Sequence, residues 1–134
     1  MRTSSFVQPL QGRGTVVSLG GSRRLADLEN RVLDLTVRTL ERRGNSISAA
    51  HREALGDTST VMTLLARGSL QGRHVIDLPT GSGKSTLLVC WTKVMMDLAL
   101  DWSVAICAAR VEELEDIYRE LTTGDLPVPE ELLI

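Results

Sequence analysis

Residues 77–86 read Asp-Leu-Pro-Thr-Gly-Ser-Gly-Lys-Ser-Thr, a glycine-rich turn set between a short apolar run and a long, mostly apolar stretch. The stretch after it is long enough for a helix, and the run before it has the length of a strand. Gly81 and Gly83 let the backbone take conformations that bring successive N–H groups to one side. A helix that starts at Lys84 adds the positive end of its dipole at the same place. A turn built this way is suited to hold an anion.

The spacing also meets a phosphate-loop pattern, G-x-x-x-x-G-K-[ST], at Gly83, Lys84 and Ser85, with Leu78 at the first glycine position. The backbone of Thr80, Gly81, Ser82 and Gly83 is expected to cradle the phosphates. Lys84 reaches the outer phosphates as a fixed cation, and the Ser85 hydroxyl is offered to Mg²⁺. Thr86 joins this set as a first-turn residue of the helix. The expected ligands are therefore the phosphates of a nucleoside triphosphate and Mg²⁺.

The rest of the chain sorts into segments around that loop. Residues 1–21 are rich in Gly, Ser and Gln and read as a flexible arm, with one extended piece at Thr15–Leu19. Residues 22–46 read as a helical lead-in: Ser22 caps a helix over Leu25–Arg43, whose apolar face carries Leu25, Leu28, Val32, Leu35 and Leu40, and Gly44 ends it. Residues 47–124 form the P-loop unit and residues 125–134 a Pro-punctuated tail. Within the unit, Gly56-Asp57 separates two short helices, His51–Leu55 and Ser59–Arg67. His74–Leu78 and Ser103–Ala108 read as buried strands. Helices are expected from Lys84 to about Leu100 and over Val111–Leu121, with Leu114, Ile117, Tyr118 and Leu121 inward. Strand, glycine loop, helix, strand, helix predicts α/β class: an incomplete parallel sheet behind a helical lead-in.

Charge and cysteine usage narrow the partners. The net charge is −2, against a protein that coats nucleic acid. Yet residues 1–46 hold eight Arg against four acids, while residues 111–134 hold eight acids against Arg119 alone. The N-terminal arginines are candidates for contact with DNA or RNA backbone; a solvated helix face is the plainer reading. Cys90 and Cys107 sit among apolar residues without metal-ligand spacing and read as buried free thiols of a reducing, cytoplasmic setting. No stretch approaches the roughly 18 apolar residues of a membrane span.

LPTGSGKS resembles motif I of the superfamily 2, DEAD/DEAH-box-like helicases and translocases, in which the first glycine is commonly replaced. Two further segments are similar to that family. His51-Arg52-Glu53-Ala54-Leu55 stands where the family has Q-x-E-A-L, whose Gln reads adenine, so His51 occupies the adenine-reading position. Ser103–Arg110 followed by VEEL stands where the family has the backbone-contacting motif P-T-R-x-L; Arg110 and Leu114 match, and Ala108 and Ala109 replace Pro-Thr. Motor ATPases of the secretion and DNA-pump type also carry TGSGKST, but with Gly in place of Leu78.

The resemblance implies a RecA-like fold and nucleic-acid-dependent ATP hydrolysis, with a D-E-x-[HD] acidic pair holding the metal and arginine fingers from a second lobe. Neither is found in this sequence; Asp125, Glu130 and Glu131 fall in the tail. The expectation is the N-terminal part of a motor, binding triphosphate, with a partner chain to complete the sheet. Two rivals stand beside it. One is a non-enzymatic interaction module that uses the Leu25–Leu40 face and the acidic C-terminal segment. The other is a small P-loop phosphotransferase, whose acceptor site and arginine lid are not visible.

Overall fold

The stretch from Lys84 is apolar around its whole circumference, and a helix of that kind must be covered on every side. The structure, a computed structural model, describes residues 7–9, 23–79, 81–98 and 103–133 and builds them around that helix. In chain order the elements are β1 (Val7–Pro9), α1 (Arg23–Arg42), α2 (Ala49–Ala66), β2 (His74–Ile76), α3 (Lys84–Asp97), α4 (Val111–Thr122) and a 3₁₀ turn at Glu130–Leu132. Leu87, Val89, Cys90, Trp91, Val94 and Met95 of α3 are all buried.

One side of α3 packs on α1 and α2. Leu28, Val32, Leu35 and Leu40 of α1 and Leu55 of α2 form one apolar core with Leu87, Cys90, Trp91, Val94 and Met95. Burying each such side chain contributes about 1.5–3 kcal/mol, so this cluster is the main source of stability. Trp91 also donates its indole N–H to Thr63 Oγ1 of α2 at 3.1 Å, satisfying a polar atom inside the core. Along another side, Val89 meets Leu121 at the end of α4 and Val128 of the tail, with Ile106 and Ile117 packed against them.

The expected α/β class is corrected. Among the described residues the chain is mostly helical and has no parallel strand pairing. β2 pairs with β1, antiparallel, with Val7 opposite Ile76 and Pro9 opposite His74. Residues 103–108 alternate between exposed and partly buried but enter no ladder. The physical reason lies in packing. A three-residue strand with Val75 exposed buries little apolar surface, whereas α3 finds its cover in α1 and α2.

Three smaller expectations change as well. Gly56-Asp57 does not break the chain, because α2 runs through it from a Ser48 cap whose hydroxyl accepts the His51 N–H at 3.1 Å. The position a Cβ would take at Gly56 lies 3.6 Å from the Leu33 side chain, an ordinary contact distance to α1. An internal glycine costs a helix about 1 kcal/mol, less than the burial of Leu55 and Ala54 returns. On α4, Leu121 is buried and Ile117 partly so, but Leu114 and Tyr118 face out. Cys107 is exposed, while Cys90 is buried as expected. The Thr15–Leu19 piece, and most of the 1–21 arm around it, lies outside the described residues.

Candidate phosphate-binding site

The loop leaves β2 through Asp77, Leu78 and Pro79 and enters α3 at Lys84. Leu78 is buried. Thr80 lies outside the described residues. Pro79 C=O accepts the Ser82 N–H at 3.1 Å, closing a turn. Gly81 and Gly83 stand at φ +81° and +94°, in the left-handed region that side chains disfavour. Gly83 is the N-cap of α3 and has no side chain with which to cap the helix. The first-turn amides of such a helix are left for an outside acceptor.

Lys84 and Ser85, the first two residues of α3, are both exposed. The Lys84 ammonium donates to Leu78 C=O across the loop at 2.9 Å. Lys84 and Ser85 also line a cavity of about 230 Å³ together with Thr58, Met62 and Ile76. Ser82 Oγ is buried and has no hydrogen-bond partner among the described residues. An orphaned hydroxyl in a polar loop fits a ligand that supplies the partner.

His51 comes to this loop from α2. Its Nε2 contacts the Ser82 carbonyl at 2.5 Å, and the ring is half-buried. The structure thus joins two segments that the sequence separates by some thirty positions. Thr86 turns elsewhere: it is buried, and its hydroxyl accepts from Arg43 Nη1 at 2.9 Å. Arg110 stands apart, at the N-cap of α4, with its guanidinium on Glu113 Oε1 at 3.2 Å.

The basic face of α1 is used within the chain. Arg31 pairs with Asp97 of α3 at 2.7 Å, while Arg42 pairs with Asp125 and Arg43 with Glu120 at 3.2 Å, so two of the N-terminal arginines meet the C-terminal excess of acid. These pairs are half-exposed and each contributes little to stability. The apolar face of α1 lies in the core, so the rival reading that leaves the Leu25–Leu40 face for a partner is corrected from Leu28 onward.

Three residues to which the sequence assigned no part in the loop or its surroundings prove central here. Leu40 packs on Gly83, Arg43 holds Thr86, and Lys93 of α3 is buried with its ammonium on the carbonyls of Thr123 (2.6 Å) and Asp125 (3.0 Å). Burial pushes the Lys93 pKa down and the Cys90 thiol up, each penalising the charged form. Of the three, Lys93 had a visible signal: it is the one charged residue inside an otherwise uncharged stretch, Ser85–Met96.

Among the described residues no three His, Cys, Asp or Glu side chains gather as a metal centre, and no helix is long and apolar enough to cross a membrane. Comparison with known proteins finds no matching family, no matching curated protein and no matching solved structure.

Proposed function

We propose that this chain binds the phosphates of a nucleoside triphosphate, with Mg²⁺, at the loop from Thr80 to Ser85. The observation that carries the reading is the conjunction at one helix start: two left-handed glycines, an uncapped N-terminus, and Lys84 and Ser85 exposed beside it. The loop amides and the helix dipole supply fixed positive potential. Lys84 adds a full positive charge, which on binding would exchange the Leu78 carbonyl for a phosphate oxygen. The Ser85 hydroxyl is the protein ligand available to Mg²⁺.

The finer part of the reading, a helicase-like ATPase acting on DNA or RNA, rests on the sequence LPTGSGKS and on His51 at the adenine-reading position. The meeting of His51 with Ser82 supports treating these two segments as one site. A cytoplasmic setting belongs with it, supported by two free cysteines.

Calorimetry with Mg²⁺-ATP tests the binding. Lys84→Ala is expected to weaken affinity by more than about tenfold, the scale of one charge-assisted contact. Equal affinity of wild type and variant would remove the loop from consideration.

A further inference from the structure

Lys93 carries its charge into the interior with 7% of its surface exposed. Its two hydrogen-bond acceptors are neutral carbonyls, those of Thr123 and Asp125, and among the described residues no carboxylate oxygen lies within ion-pair distance of it. An ammonium buried on neutral partners alone is poorly compensated. It lines a cavity of about 220 Å³ where the C-terminal end of α1 meets α3 and the segment after α4.

The same cavity collects more positive charge. Arg42 and Arg43 line it, and Arg38 reaches the Asp125 carboxylate at 3.7 Å. Three cations of the lining, Arg42, Arg43 and Lys93, thus face two carboxylates, Glu120 and Asp125. Thr86, also lining the cavity, accepts from Arg43, which leaves its own O–H free to donate. An excess of positive charge and an excess of donors fit a compact anionic acceptor.

We propose that this cavity is an oxyanion site that takes inorganic phosphate, separate from the glycine loop. The separation follows from consecutive residues of α3. Lys84 and Ser85 line the cavity beside Ile76, whereas Thr86 lines the one beside Lys93. Guanidinium N–H groups not used by Glu120 and Asp125, the Thr86 hydroxyl and the Lys93 charge together recognise the anion. It needs neither the nucleotide nor the metal of the loop.

The test is titration of the full chain with inorganic phosphate, by calorimetry, in the Lys84→Ala background, which disables the loop. Saturable binding is expected to persist there. Adding Arg43→Gln should weaken it about tenfold or more, the scale of a charge-assisted contact. Adding Glu120→Gln instead should tighten it, because an acid competing for Arg43 is removed. A loss of stability alone would not produce that opposite sign. Absence of saturable binding in the Lys84→Ala chain overturns the proposal, as does affinity that Glu120→Gln leaves unchanged or weaker. If Arg43→Gln fails to fold, the Glu120→Gln comparison decides alone.

Discussion

Leu40 of α1 lies so close to Gly83 of the loop that a Cβ built on the glycine would sit 2.8 Å from Leu40 Cδ1. The loop's last glycine is therefore fixed twice, by its φ of +94° and by the side chain pressed against it. The lead-in helix sets the wall against which the phosphate loop turns into α3.

The two glycines of the loop are consequently unequal. Gly81→Ala meets nothing within 4 Å and carries only the left-handed backbone penalty, about 1 kcal/mol. Gly83→Ala adds a clash with a buried leucine and should destabilise by roughly 2–4 kcal/mol in all. Combining it with Leu40→Ala should relieve the steric part and leave the backbone part. Urea unfolding of the single and double variants measures this; equal losses at Gly81 and Gly83 would contradict the close packing.

The thiols should divide by burial. Cys107 is exposed, while Cys90 is buried with its pKa raised by burial. A thiolate-specific reagent under native conditions should modify Cys107 fast and Cys90 only at the rate of opening. Cys107→Ser should abolish the fast phase. Two fast thiols per chain would contradict the packing of Cys90 among Leu35, Leu87 and Val94.

Acid sensitivity should run through Asp125. A hydrogen bond from Arg42, reinforced by its charge, holds the Asp125 carboxyl below its ordinary range. A depressed carboxyl binds its proton less readily in the folded chain than in the unfolded one. Its contribution is present above about pH 3.9, the unfolded value, and is lost as pH falls through the lower folded value. Asp125→Asn and Arg42→Gln should each flatten the loss of stability below about pH 4 while leaving the alkaline side unchanged. Denaturant midpoints at several acid pH values provide the measurement; a wild-type slope in Asp125→Asn would refute the assignment.

How much of this was legible follows from which forces act locally. The α1 helix could be read because its apolar residues recur at helical spacing and Gly44, at φ +89°, ends it. The loop could be read because its glycines and Lys84 are specified within a few residues. Gly56-Asp57 misled because the burial of Ala54 and Leu55 on the same helix overrides a local breaker. The two apolar runs misled for a related reason: His74–Leu78 and Ser103–Ala108 have strand composition, but pairing depends on what the rest of the chain offers them. Among the described residues β2 pairs with β1 alone, in a segment without a clear period, and residues 103–108 pack Ile106 on the α3–α4 side instead of joining a ladder. The partners of Arg43 and Lys93 lie 77 and 30 or more positions away, at Glu120 and at Thr123 and Asp125. No periodicity reports contacts of that range.

Base selectivity should reflect what His51 is doing. Its Nε2 is committed to the Ser82 carbonyl, so that nitrogen holds the loop and is not available to read a base edge. An imidazole also lacks the paired donor and acceptor with which an amide side chain distinguishes adenine from guanine. Discrimination between ATP and GTP should therefore stay below about tenfold, or 1.4 kcal/mol. His51→Ala should weaken both nucleotides alike, because it loosens the loop that holds the phosphates common to them. His51→Gln keeps a side-chain donor for Ser82 and should recover part of the lost affinity. Titration of wild type and both variants with the two nucleotides separates the roles. A His51→Ala chain that loses ATP affinity while keeping GTP affinity would show that the ring reads the base after all.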